Sequence, residues 1–141
     1  MSQALVAIGS NIDPEANAPA ALELLAERFA VLSRSRVLRT AAIPAPGREA
    51  GPPQPDYLNS VVLIETNLSP PELRRALRAI EADLGRVRTA DRYAPRTIDL
   101  DAIGIDGRIT DPEVRRREFL RTLAAEALGD AAAAWDLDAP S

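Results

Sequence analysis

Residues Tyr57 to Gly85 read YLNSVVLIETNLSPPELRRALRAIEADLG, a strand and a helix joined by a short turn. Tyr57–Glu65 is dense in β-branched residues and free of Gly and Pro, which favours a strand. Ser69-Pro70-Pro71-Glu72 has the form of a capping box, with Pro at the first helical position. Leu73, Leu77, Ile80 and Leu84 then fall on one helical stripe, and Gly85 ends it.

Working outward, the same grammar recurs on both sides. Leu5–Ile8 reads as a first strand running into a turn at Gly9-Ser10-Asn11. Asp13-Pro14-Glu15 opens a helix through Phe29, with Asp13 as its cap. Val31–Arg39 reads as a second strand, and 41–55 as a loop rich in Pro and Gly. Downstream, a strand runs from about Arg96 to Ile105. Asp106-Gly107 turns it into Arg108–Thr110. Asp111-Pro112-Glu113 starts a last helix to about Leu128, and the Ala-rich tail from Gly129 is weakly specified, with no role for Trp135. The order β-α-β-β-α-β, followed by a hairpin and a helix, predicts an α+β domain. Its build is a ferredoxin-like antiparallel sheet with helices packed on it, one domain over residues 1–141.

Composition narrows the chemistry. The chain has 141 residues, no His and no Cys, and its 17 cationic side chains are all Arg. Disulfides, Ser-His or Cys-His catalysis, lysine Schiff bases and a lysine-bearing P-loop are therefore excluded, and a zinc site lacks its usual ligands. No apolar run is long enough for a membrane span, and no basic leader precedes the first strand. A cytoplasmic protein without membrane contact is expected. The net charge of -4 argues against nucleic acid as a partner.

Remaining chemistry falls to carboxylates, hydroxyls, Arg and a hard metal ion. In "TIDLDAI" (97–103), strand alternation puts Ile98 and Leu100 on one face and Asp99 and Asp101 on the other, about 6.5–7 Å apart. Such a pair suits Mg²⁺, which takes one or two carboxylates and fills its shell with water and phosphate oxygens. A plain polar strand face gives the same pattern. Arg86, Arg88, Arg92 and Arg96 crowd the loop just before it. Guanidinium forks bind phosphate, although a solvated basic loop looks alike. Together the two features match phosphoryl transfer, which needs positioning and charge neutralisation but no covalent nucleophile. In "PDYLN" (55–59), Tyr57 and Asn59 share a strand face. One offers a ring for stacking, the other a donor and an acceptor.

"AIGSN" (7–11), "PDYLN" (55–59) and "GRVR…RYAPRTIDLD" (85–101) together resemble the 6-hydroxymethyl-7,8-dihydropterin pyrophosphokinase family of folate synthesis, over roughly residues 4–110. The resemblance implies transfer of the β,γ-pyrophosphoryl unit of ATP to the pterin hydroxymethyl group, release of AMP, and two Mg²⁺ ions. It implies that Asp99 and Asp101 hold both ions. It also implies that Asn59 bonds the pterin edge, that Tyr57 stacks on its face, and that Thr40 and Ile43 line the pocket. Glu81, Arg86 and Arg96 match nucleotide contacts, with the arginines on phosphates. Arg88 and Tyr93 match a loop that closes over the substrates, Tyr93 standing where the family usually has Trp. Departures from the family pattern are also present. Ala41-Ala42 replaces two prolines, and the 41–55 loop is longer. About ten residues, with the family's histidine, are missing after Thr110. "RRREFL" (115–120) still matches the next stretch, with Arg117 on phosphate and Phe119 as a second wall for the pterin. The alternatives are a diverged homologue that binds a pterin or nucleotide, or uses a related substrate, without the parent activity, and a ferredoxin-like RNA-binding or assembly module.

Overall fold

The computed structural model describes residues 1–42, 47, 54–86 and 97–138. Its elements are β1 (Ser2–Ser10), α1 (Pro14–Arg28), β2 (Ala30–Arg34), β3 (Leu38–Thr40), β4 (Tyr57–Thr66), α2 (Pro70–Asp83), β5 (Asp99–Ile105), β6 (Arg108–Ile109), α3 (Glu113–Arg116), α4 (Glu118–Leu128) and a 3₁₀ segment at Gly129–Ala134. All strand pairings are antiparallel. The order is β2-β4-β1-β5-β6, with β3 beside β2 on the same edge of β4. The α+β reading of the sequence is borne out.

Period-2 alternation divides the sheet into two apolar faces. Ala4, Val6, Ile8, Val62, Ile64, Ile98 and Leu100 face α1 and α2, where Ala21, Leu25, Leu73, Leu77 and Ile80 complete one core. Leu5, Val61, Leu63, Ile103 and Ile109 face the other way, against Val114, Leu123, Ala124, Ala127 and Leu128. The α2 helix starts as its sequence requires. The Ser69 hydroxyl accepts from the Glu72 amide (3.3 Å) and the Glu72 carboxylate accepts from the Ser69 amide (2.9 Å). Gly85 leaves the helix at φ 88°, a left-handed backbone suited to glycine. Asp106 and Gly107, at φ 46° and 90°, form the tight hairpin turn between β5 and β6.

Five sequence expectations need correction. The second strand is not continuous. At Ser35 the side chain takes over the ladder: its hydroxyl accepts the Val61 amide (2.9 Å) while the Ser35 amide reaches the Val61 carbonyl (2.8 Å), so the chain breaks into β2 and β3. The last helix also breaks. Arg117 is extended (φ -106°, ψ 108°), and the Arg121 guanidinium takes the Arg115 carbonyl (3.1 Å). Asp13 occupies the cap position of α1 but in a left-handed conformation, with no side-chain capping bond. Gly9 lies within β1, not in a turn.

The tail is an integral part of the fold. Trp135 and Leu137 are buried in the second core. The Asp136 carboxylate accepts the Ile109 amide (2.6 Å) on the sheet edge, and Arg115 grips the Asp136 carbonyl (2.9 Å) and carboxylate (3.1 Å). A methyl group on Gly104 would lie 2.9 Å from the Trp135 ring and 3.0 Å from the Arg108 carbonyl, so glycine is required there by close packing.

Candidate active site

On the second face of the sheet α4 packs on β4 and β2. Beyond it, the strand register sets a polar row. Gly9 on the central strand is flanked by Asn59 of β4 on one side and Asp99 of β5 on the other. One step along, Ala7 stands between Val61 and Asp101. On the outer side of β4, Leu38 and Thr40 pair with Asn59 and Tyr57. The sheet thus places Thr40, Tyr57 and Asn59 to one side of Gly9 and the two aspartates to the other.

Within the first group, the Asn59 amide donates to the Thr40 hydroxyl (2.6 Å) and lies 3.4 Å from the Leu38 carbonyl. A methyl group on Gly9 would come within 3.5 Å of Asn59 Oδ1 and 3.7 Å of the Tyr57 ring. Its absence keeps the floor between the two groups low.

The second group is held from behind. Glu81, on the last turn of α2, is 2% exposed. Its carboxylate accepts the Leu100 amide (2.8 Å), between the two aspartates, and the Arg86 guanidinium (2.9 Å). The same Arg86 nitrogen reaches Asp99 Oδ1 (2.8 Å) and the Ile98 carbonyl (3.1 Å). One nearly buried guanidinium therefore ties the end of α2 to the start of β5. Asp101 keeps solvent-exposed surface. Even so, protein packed around its carboxyl, the charge and hydrogen bond of Asp99, and the charges of Glu81 and Asp111 together push its pKa up to about 7. Negative charge is concentrated here beyond what Arg86 offsets.

That surplus fits a divalent cation. Asp99 and Asp101 could hold Mg²⁺ through one or both carboxylates. Among the described residues no group of three or more ligating side chains occurs, so water and phosphate oxygens would supply the rest of the shell.

The other expected site residues are less close. Glu81 is buried and bonded to the backbone, so its side chain supports the carboxylate pair more directly than it could touch a nucleotide. Arg86 is already engaged with two carboxylates. Arg117 caps the break before α4, where it binds Glu113 (2.9 Å) and, as the largest influence, holds that carboxyl below its usual range. Phe119, on the first turn of α4, packs half-buried on the second core, the same core against which Ala7 and Leu38, the cross-strand neighbours of Asp101 and Asn59, pack. Ile43, Arg88, Tyr93 and Arg96 lie outside the described residues.

Sequence reasoning missed the support beneath these groups. Ser10 and Asn11 are buried. Ser10 Oγ donates to the Thr97 carbonyl (2.5 Å), and Asn11 Nδ2 donates to Gln54 Oε1 (3.0 Å) and the Pro55 carbonyl (3.3 Å). A buried Ser-Asn pair at a strand end was a readable signal, but its partners, more than 40 residues away, were not.

The ferredoxin-like sheet thus carries a carboxylate pair on one side of Gly9 and a ring-and-amide pair on the other. Residues 5–128 match the model of the 7,8-dihydro-6-hydroxymethylpterin-pyrophosphokinase family, and the chain belongs to that family. It is 37% identical over 143 residues to the 2-amino-4-hydroxy-6-hydroxymethyldihydropteridine pyrophosphokinase of Synechocystis sp., covering 90% of this chain and 67% of the relative. It is 37% identical over 111 residues to the enzyme of the same name from Pseudomonas putida, covering 77% and 87%. It also matches a segment of the folate synthesis bifunctional protein of Pisum sativum, 39% identical over 102 residues, 72% of this chain and 19% of that protein. Among the described residues no helix is long and apolar enough to cross a membrane.

Proposed function

We propose that this chain, as one domain over residues 1–141, transfers the pyrophosphoryl group of ATP to the hydroxymethyl group of 6-hydroxymethyl-7,8-dihydropterin in folate synthesis and releases AMP. Family membership supports the activity. The observation that carries the site assignment is the Gly9 row, which sets Asn59 and Asp99 on either side of one glycine.

In this reading Tyr57 stacks on the pterin ring and Phe119 faces it from α4. Asn59, oriented by its bond to Thr40, reads the pterin's hydrogen-bonding edge, and Ile43 adds to the pocket. The hydroxymethyl group then points across Gly9 toward the aspartates. Its oxygen bonds to the β-phosphorus, the bond from that phosphorus to the α-phosphate oxygen breaks, AMP departs, and the hydroxyl proton is released. Mg²⁺, two ions, on Asp99 and Asp101 would neutralise polyphosphate charge and favour loss of that proton. Arg86, Arg88, Arg96 and Arg117 bind phosphate oxygens, and Tyr93 packs over the substrates. Arg86, which holds Asp99 Oδ1, would share its donors with phosphate, and Asp99 would hold the metal through its carboxylate. Glu81 keeps the backbone between the aspartates fixed. The cytoplasm, where ATP is supplied, is the expected place of work, with small molecules as the partners.

The test is AMP formation from ATP, Mg²⁺ and the hydroxymethyl dihydropterin. Pterin-dependent AMP that disappears in Asp99→Asn supports the reading; wild-type protein that forms none refutes it. The short stretch between Thr110 and α3, without the family's histidine, favours one rival: a homologue that binds pterin or nucleotide without turnover. Calorimetric binding of pterin with no AMP would establish that rival.

A further inference from the structure

The backbone ladder of β1 ends at the site. Its last pairs are Ser10 with Leu58 on one side and Gly9 with Asp99 on the other. Past that point the cross-strand bonds come from side chains. Ser10, fully buried, donates to the Thr97 carbonyl (2.5 Å), two residues before Asp99. Asn11, 2% exposed, donates to Gln54 Oε1 (3.0 Å) and lies 3.3 Å from the Pro55 carbonyl, two residues before Tyr57. The two residues point to opposite neighbours. One dipeptide on the central strand therefore carries the lead-in to the aspartates and the lead-in to the Tyr57–Asn59 pair.

We propose that Ser10 and Asn11 are positioning residues that fix the separation between the two halves of the site. The inference rests on the pyrophosphokinase reading for its catalytic consequence, though not for its structural one. Each half keeps its own groups without the dipeptide: Asn59 holds Thr40, and Glu81 with Arg86 holds the aspartates. What the dipeptide adds is their mutual distance. Group transfer is steep in that distance, because the attacking oxygen and the phosphorus must meet within about 3–3.5 Å and in line. Loss of Ser10 or Asn11 should therefore lower turnover more than it lowers the affinity for either substrate alone.

The experiment compares wild type with Ser10→Ala, Asn11→Ala and Gln54→Ala, with Ser10→Thr as the variant that keeps the hydroxyl. Single-substrate affinities come from calorimetry with the hydroxymethyl dihydropterin and with a non-hydrolysable Mg–ATP analogue; turnover comes from AMP release. The proposal expects kcat to fall ten-fold or more in Ser10→Ala and Asn11→Ala, with each affinity within three-fold of wild type, and Ser10→Thr to recover most of the rate. A kcat within two-fold of wild type, or affinities that fall in step with kcat, would overturn it. If Asn11→Ala does not fold, Gln54→Ala, which removes its side-chain partner, takes its place under the same criteria. If wild type forms no AMP, the functional reading fails by itself. Amide hydrogen exchange then decides the positioning claim: exchange at 57–59 or 99–101 must quicken ten-fold or more in the variants while 62–64 is unchanged. Unchanged exchange at both segments refutes it.

Discussion

Asp101→Asn should make the metal-free protein more stable, by a margin that grows from about pH 4 and is complete above pH 7. Burial of the Asp101 carboxyl, and after it the charges of Asp99 and the neighbouring carboxylates, raise its pKa from 3.8 to about 7. The native state therefore holds this proton more tightly than the unfolded chain. Between about pH 4 and 7 folding binds a proton, so stability falls as pH rises through that window, and the full penalty stands above pH 7. Sealed from water, the shift would be worth about 4 kcal/mol at 1.36 kcal/mol per pH unit. The carboxyl is open to water on its outer side, and screening there reduces the figure to about 1–2 kcal/mol. Asn keeps the shape and removes the charge. Urea unfolding with a chelator present should show the variant ahead by about 1–2 kcal/mol at pH 8 and level with wild type at pH 4. High salt should narrow the gap at pH 8. Added Mg²⁺ at about 100 times its Kd should stabilise wild type by about 2.7 kcal/mol and the variant by much less. An advantage for Asn that is equal at pH 4 and pH 8, or a wild type stabilised by rising pH relative to the variant, would refute the electrostatic argument.

Other perturbations separate the supports of the fold from those of the site. Glu81→Gln leaves Arg86 in a nearly buried position with one carboxylate fewer, and should cost about 3 kcal/mol in denaturant unfolding. Adding Arg86→Met to that variant should cost less than the sum of the two single changes, since both belong to one network. Gly104→Ala should destabilise by about 1–3 kcal/mol by pressing on the Trp135 ring and the Arg108 carbonyl. The single tryptophan should report the shift in its emission before global unfolding. Ser69→Ala removes half of a reciprocal capping pair and should lower stability by about 1 kcal/mol, read from the urea midpoint, with no change in AMP formation.

What the sequence disclosed was whatever local spacing controls. The stripe Leu73, Leu77, Ile80 of α2 and its capping box needed no distant partner, and the structure buries the first and forms the second. The same holds for Ile98 and Leu100 facing inward while Asp99 and Asp101 face outward: a strand's period of two settles it once the strand is granted. The juxtaposition of Asn59 with Asp99 was a step further. Each lay in a legible strand, but only the antiparallel register on β1 brings both to Gly9. Breaks were harder to read. Ser35 and Arg117 look unremarkable in sequence, and each interrupts its element because a side chain supplies the hydrogen bond that the regular backbone would have made.

The parts that stayed hidden share one physical trait: a polar or aromatic group whose partner is remote in the chain and which pays its burial cost only when that partner arrives. Glu81 matches a nucleotide contact by resemblance, and its support of β5 shows only once Leu100 and Arg86 are seen around it. Trp135 reads as a stray aromatic in an alanine tail until Gly104 is seen beneath its ring. The Trp135 case also bears on the shortened stretch after Thr110. With few residues between β6 and α3, little chain is available there to cover the β5–β6 hairpin, and the returning tail covers it instead. Asp136 occupies the Ile109 amide and holds Arg115, while Trp135 fills the space over Gly104. The position of α3, and through it of Arg117 and Phe119, then depends on Trp135, Asp136 and their neighbours in the tail. Removing residues 135–138 should loosen Phe119 and Arg117 along with the hairpin, and leave the Thr40–Asn59 and Glu81–Leu100 bonds, which are made by other elements, in place.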